Sequence, residues 1–184
     1  MPADGPKTCL AVLGEFVYGS LADKPDDPNL SSADTLRNPY FERVTLVRNF
    51  LKTPHLEGII TDSHFAKRDR LGRSLGFLAR ILQDGWSSAP REIAVDEKSG
   101  VLVEGDGNAT VVGPGDGAWF LRPQAPPAQC RKDTPLTFDG IVVYHAPGGS
   151  HFNIGTWTGE EGTPYTLSVA EGVIHSTQAG GKAY

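Results

Sequence analysis

Cysteine is scarce in this chain, with only Cys9 and Cys130 among 184 residues. Two thiols are too few for a disulfide scaffold and too widely spaced for a zinc clip, so reduced cysteines are expected. No apolar run approaches the length of a membrane span. Met1 to Pro6 has neither the charged start nor the apolar core of a signal peptide, which leaves a cytoplasmic location as the default expectation. A basic excess is missing as well. The net charge of −5 and the pI near 5.5 argue against nucleic acid or a membrane surface as partner, since both call for a basic footprint. No internal repeat suggests a solenoid. His145, His151 and His175 lack cysteine or acidic partners at ligand spacing, and His55 with Asp62 and His64 is the one set that could hold a metal. Neither a metal nor a cofactor is expected.

What remains has the apolar content of an ordinary globular protein, at a length sufficient for a single domain with a sizeable core. Its most informative stretch is Thr61-Asp62-Ser63-His64-Phe65-Ala66-Lys67-Arg68-Asp69-Arg70-Leu71-Gly72-Arg73. The preceding Leu56 to Thr61 loses polar alternation, as a strand buried on both faces of a parallel sheet does. The following Leu71, Leu75, Leu78 and Leu82, widened by Phe77 and Ile81, predict an amphipathic helix that Gly85 stops. His64 then lies just past the C-terminal end of a strand, where open α/β sheets place their chemistry. Arg68, Arg70 and Arg73 at the start of the helix oppose its macrodipole by roughly 0.3–1 kcal/mol per charge. An anion is expected to offset that cost, either a substrate group or carboxylates elsewhere in the fold.

Asp62, His64, Phe65, Arg68, Arg70, Gly72 and Arg73 form the pattern Asp-x-His-Phe-x-x-Arg-x-Arg-x-Gly-Arg. It resembles the histidine motif of cyanophycinases and related serine peptidases, relatives of dipeptidase E in the class I glutamine-amidotransferase-like group. Leu10 to Phe16 is similar to the helix that follows the family's nucleophile, and Arg91 to Pro123 to its hairpin-rich C-terminal portion. The resemblance implies an α/β chain spanning 1–184 that corresponds to the C-terminal part of a flavodoxin-like, class I glutamine-amidotransferase-like three-layer fold, with an antiparallel β-rich second half. It implies a hydrolase that acts in proteolysis as a serine-type exopeptidase on small peptides or β-aspartyl peptides. His64 is then the general base, and Asp62, Ser63, Arg68, Arg70 and Arg73 line the substrate pocket, where guanidinium forks suit carboxylates.

One part of the family pattern is missing. A Gly-x-Ser-Ala-Gly elbow is expected just before Leu10, and the chain reads Gly5-Pro6-Lys7-Thr8-Cys9 there. An elbow also needs a strand before it. Cys9 in a shifted register and Ser20 beyond the apolar segment are the alternatives, read respectively as a small semi-buried thiol and a turn residue. An imidazole without a nucleophile has nothing to activate, so the chain alone is expected to be inactive. The rival expectation is a non-catalytic binding module that keeps an anion-binding arginine cluster. Expected partners are a peptide or acidic small-molecule substrate, together with a second copy or a complementing chain that covers an unpaired sheet edge.

Ser20 to Tyr40 reads as a long loop with a helical turn near Asp34 to Arg37. Asp23, Asp26, Asp27, Asp34, Glu15 and Glu42 are the candidates for a carboxylate that orients His64. Val44 to Phe50 is expected to lead into the strand before His64. Ile93, Val95, Val101, Val103, Val111 and Phe120, punctuated by Ser99-Gly100, Asp106-Gly107 and Asp116-Gly117, predict an antiparallel meander. Gly113, Gly115 and Gly117 are read as turn glycines rather than a phosphate loop, because no helix follows them. A strong strand is predicted over Gly140 to His145, with a loose tail from Gly180 to Tyr184.

Overall fold

The computed structural model describes residues 13–19 and 30–184. They form a mixed α/β structure rich in strand, with two α-helices. The central element is a six-stranded sheet. Its first two strands, β3 (Ile59–Asp62) and β4 (Arg91–Val95), run parallel, and α2 (Leu71–Gln83) crosses between them. From β4 onward every neighbour is antiparallel: β7 (Ala118–Pro123), β8 (Phe138–Ala146), β11 (Thr163–Ala170) and β12 (Val173–Ser176). All four residues of β3 are buried, polar Thr61 and charged Asp62 included, as expected of a strand covered on both faces.

The predicted meander divides between two sheets. After β4 the chain leaves the central sheet for a hairpin, β5 (Gly100–Val103) and β6 (Asn108–Val112), and returns in β7. That hairpin pairs with β9 (His151–Asn153) and β10 (Thr158–Glu160) in a second, four-stranded sheet. Strand alternation then sorts the core. On one face of the central sheet Ile60, Ala94, Trp119, Leu121 and Val143 pack with Leu71, Leu75, Phe77, Leu78 and Ile81 of α2. On the other, Ile59, Ile93, Val95, Phe120 and Ala146 pack with Ala109, Val111 and Phe152 of the second sheet. Gly113 and Gly117 have φ of 101° and 91°, which is what turn glycines supply at these corners.

α1 (Ser32–Arg37) begins with a capping box, in which Ser31 and Asp34 satisfy each other's amides. It crosses α2 closely, with Thr35 lying over the bare Cα of Gly76. Two expectations need correcting. Residues 13–16 are not helical: after a bend, Phe16 bridges Ile60 in parallel and β1 (Val17–Tyr18) pairs with β2 (Leu46–Val47). The Phe16 amide donates to the Ile59 carbonyl at 3.2 Å, so the outer edge of β3 is partly covered by the chain itself. A β-branched and aromatic Phe16-Val17-Tyr18 run favours extension over helix at this end of the predicted segment, and Leu10, Ala11 and Val12 lie outside the described residues. The segment near Tyr184 is not loose either, because its ring packs edge-on to Phe65 at 5.5 Å. Cys9, Ser20, Asp23, Asp26 and Asp27 lie outside the described residues.

Candidate functional site

β3 and β4 are parallel and adjacent, so the residues that follow each strand emerge side by side. Asp62 is level with Ala94. Two residues beyond Asp62 stands His64, and three beyond Ala94 stands Glu97. Their side chains meet, with His64 Nδ1 at 2.9 Å from Glu97 Oε1. Hydrogen bonding to His64 holds the Glu97 carboxyl below the usual carboxylate range. An ionised carboxylate only accepts, so Nδ1 carries a proton, and in the neutral imidazole Nε2 then keeps its lone pair. No described residue bonds Nε2, and the His64 side chain is 23% exposed, enough for another group to reach it.

The turn that presents His64 is tightly fixed. His64 has φ of 51° and Asp69 47°, the left-handed region that non-glycine residues occupy at a cost. Phe65 N–H donates to Val95 O at 3.2 Å and Lys67 N–H to Asp96 Oδ1 at 3.2 Å, tying the turn to the end of β4. Within the turn, Arg68 N–H donates to His64 O and Arg70 N–H to Phe65 O. The Phe65 ring is fully buried and meets Trp119 at 5.3 Å.

Beneath the turn lies a charge cluster built from the motif's own residues. The Arg73 guanidinium clasps Asp62 with Nε at 2.8 Å from Oδ2 and Nη2 at 2.5 Å from Oδ1. Arg70 Nη1 donates to Asp62 Oδ1 at 3.0 Å and to the Ser63 carbonyl at 2.5 Å. Arg73 and Asp62 are buried. Burial pulls the Arg70 guanidinium below its usual value, and the Asp62 carboxylate opposes that fall. Beside the pair, Glu92 is completely buried. Ser74 Oγ donates to its Oε1 at 2.6 Å, and its Oε2 has no partner among the described residues. Desolvation first, and then the nearby Asp62 charge, push Glu92 up to about 8.

Of the residues singled out in the sequence, Asp62, Ser63, Arg70 and Arg73 therefore form a folding cluster under the turn, which supplies the anion that the helix-start arginines call for. Arg68 and Lys67 are exposed, and both lie close enough to Glu97 to lower its carboxyl further. His55 is elsewhere: its Nε2 meets the Gly105 carbonyl at 3.0 Å. Among the described residues no group of three or more histidine, cysteine or acidic side chains is arranged for a metal ion. Two described candidates for the orienting carboxylate are engaged at other places, Glu15 with the Gly58 amide at 2.7 Å and Asp34 in the α1 cap. Glu97 was missed, as were Asp96 and Glu92. The readable signal was adjacency, since a strand-helix-strand unit brings the two strand exits together, and Asp96-Glu97 directly follow the apolar Ile93-Ala94-Val95. The chain matches no family model and no curated protein.

Proposed function

We propose that this chain carries the base half of a serine-type peptidase site of the cyanophycinase-like kind, with His64 as general base and Glu97 as the carboxylate that orients it. The single observation that supports it is the His64–Glu97 contact at the exit of two parallel strands, with Nδ1 held and Nε2 bonded by none of the described residues. In such a site Nε2 takes the proton of a serine hydroxyl as the oxygen attacks a peptide carbonyl. The same proton is then given to the leaving amine, and a water activated by Nε2 hydrolyses the acyl-enzyme. Glu97 stabilises the imidazolium that forms in each half-reaction. The parallel β3-α2-β4 unit supports the flavodoxin-like, class I glutamine-amidotransferase-like assignment. Arg68, exposed beside the pair, is the group in this proposal that receives a carboxylate of an acidic or β-aspartyl peptide.

The nucleophile is the part that the residues before Leu10 do not spell, because Gly5-Pro6-Lys7-Thr8-Cys9 is not a serine elbow. The test is hydrolysis of β-aspartyl-arginine and ordinary dipeptides by the purified chain, alone and joined to an upstream segment that carries a strand and Gly-x-Ser-Ala-Gly. The expected result is background turnover alone and turnover on joining that is lost in His64→Ala and strongly reduced in Glu97→Gln. Turnover indifferent to His64 would refute the assignment. Activity of the unextended chain that disappears in Cys9→Ala or Ser20→Ala would identify that residue as the nucleophile instead. The second reading, a non-catalytic anion-binding module, draws on the exposure of Arg68 and Lys67 alone, and binding of acidic dipeptides without turnover in the joined protein would favour it.

A further inference from the structure

α2 begins without a cap of its own. Arg70, at the N-cap position, has helical φ/ψ and makes no side-chain capping bond, so the first amides of the helix need acceptors from elsewhere. Two hydroxyls distant in sequence supply them. Ser32 Oγ, from the start of α1, accepts from Gly72 N–H at 3.0 Å and donates to the Asp69 carbonyl. Tyr184 Oη accepts from Leu71 N–H at 2.9 Å and donates to Asp69 Oδ1 at 2.9 Å.

The Tyr184 contacts bracket the end of the His64 turn. One bond goes to Asp69, whose left-handed φ closes the turn, and the other to the first helical residue. Its ring meets Phe65, the residue after His64, at 5.5 Å, and Trp119 at 6.1 Å. The chain leading to it is tied to the rest of the fold by few bonds. Gly180 and Gly181 have positive φ and no side chain, and residues 179–182 are exposed. Gly181 N–H donates to the Gln178 carbonyl at 2.9 Å and Gln178 Nε2 to the Lys182 carbonyl at 3.0 Å, both within the segment's own turn, while Tyr165 Oη donates to Ala183 O at 3.1 Å from β11.

We propose that Tyr184 is a positioning residue: its phenol fastens the 179–184 segment onto the turn that carries His64 and thereby holds that imidazole against Glu97. A left-handed histidine persists only where its surroundings over-determine it, and the phenol supplies one bond at the far end of the same turn, to Asp69, and a second to the helix residue that follows it. Its consequence for catalysis rests on the proposed role of His64 as base. The geometry itself does not.

The test uses the full chain, isotopically labelled, and needs no substrate. Long-range proton–nitrogen spectra report which imidazole nitrogen of His64 carries the proton, and urea unfolding reports stability. In the wild type the Nδ1–H tautomer is expected. Tyr184→Phe keeps the ring and removes both phenol bonds, so His64 is expected to become a mixture in which the Nε2–H form is prominent. Leu71 amide exchange should accelerate about tenfold, the loss expected for one hydrogen bond. Asp69→Ala, which changes an exposed side chain and removes the phenol's acceptor, is expected to move His64 in the same direction. A Tyr184→Phe protein that unfolds at lower urea while His64 keeps the wild-type tautomer would overturn the proposal, because Tyr184 would then be structural only. If Tyr184→Phe does not fold, an unchanged His64 in Asp69→Ala overturns it equally. A shifted tautomer together with no hydrolysis by the elbow-joined chain would refute the peptidase reading and leave the positioning role standing.

Discussion

Glu92 is expected to contribute a stability that falls with rising pH. The carboxyl is fully buried against α2, one oxygen accepts from Ser74, and the other has no partner among the described residues, so the protonated form is favoured and its titration is pushed from 4.5 to about 8. Between those two values the native state binds a proton that the unfolded chain has released. Unfolding free energy therefore declines as pH rises, by about 1.4 kcal/mol per pH unit in the steep part of the window. The contribution is fully present below pH 4.5 and is lost as pH passes through about 8. Moving from pH 5 to pH 7 is worth roughly 2.5 kcal/mol from this group, and the whole window at most roughly 5 kcal/mol. A change of the first size lowers the melting temperature by roughly 5–10 °C in a domain of this length. Urea unfolding at half-unit pH steps reads the slope directly. Glu92→Gln has the shape of the protonated acid and cannot ionise, so it should lose this slope and be more stable than the wild type at pH 8 while nearly matching it at pH 5. Equal slopes in the two proteins, or a Glu92→Gln protein destabilised at every pH, would refute the reasoning and mean that the carboxyl is charged and paired in the native state.

The cluster under the turn gives a second test: Asp62→Asn leaves the buried Arg73 and the half-buried Arg70 without a counter-charge and should destabilise the fold by about 3–5 kcal/mol in urea unfolding. A loss below about 1 kcal/mol would show that the pair is solvated. Arg68 is the arginine of the motif that is turned to solvent, so millimolar acidic dipeptide should raise the melting temperature by mass action, and the rise should shrink with salt and disappear in Arg68→Ala. Persistence of the full shift in Arg68→Ala would place the anion elsewhere.

The elements with strong periodicity were legible in the sequence. Leu71, Leu75 and Leu78 marked α2 to within a residue or two, and the apolar Ile59-Ile60 marked β3. Together they place His64 at a strand exit. What escaped the sequence was pairing. Alternation in Ile93, Val95, Val101 and Val111 announces strands but not which sheet each joins, so a hairpin diverted to a second sheet read as a plain meander. For the same reason the candidates for the partner of His64 fall in the acidic loop 20–40 and at Glu15 and Glu42. Only the parallel register of β3 and β4 brings Glu97 to it. The arginines show a related limit, since composition reveals three charges near one turn but not that Asp62 draws two of them inward. Tyr184 carried no signal at all, because its bonds to Leu71 and Asp69 cross more than a hundred residues.

The pairing of His64 with Glu97 is the claim on which the functional account stands, and the titration of the Glu97 carboxyl tests it most directly. Carbon-13 chemical shifts of that carboxyl, followed against pH in the wild type and in His64→Ala, read the contact from the side of the acid. The wild-type midpoint is expected below the ordinary 4.5, with the hydrogen bond from His64 as the leading cause, and removal of the imidazole should return it most of the way. An unchanged midpoint in His64→Ala would contradict the account, because Glu97 would then feel no bond from His64 and nothing would orient the proposed base.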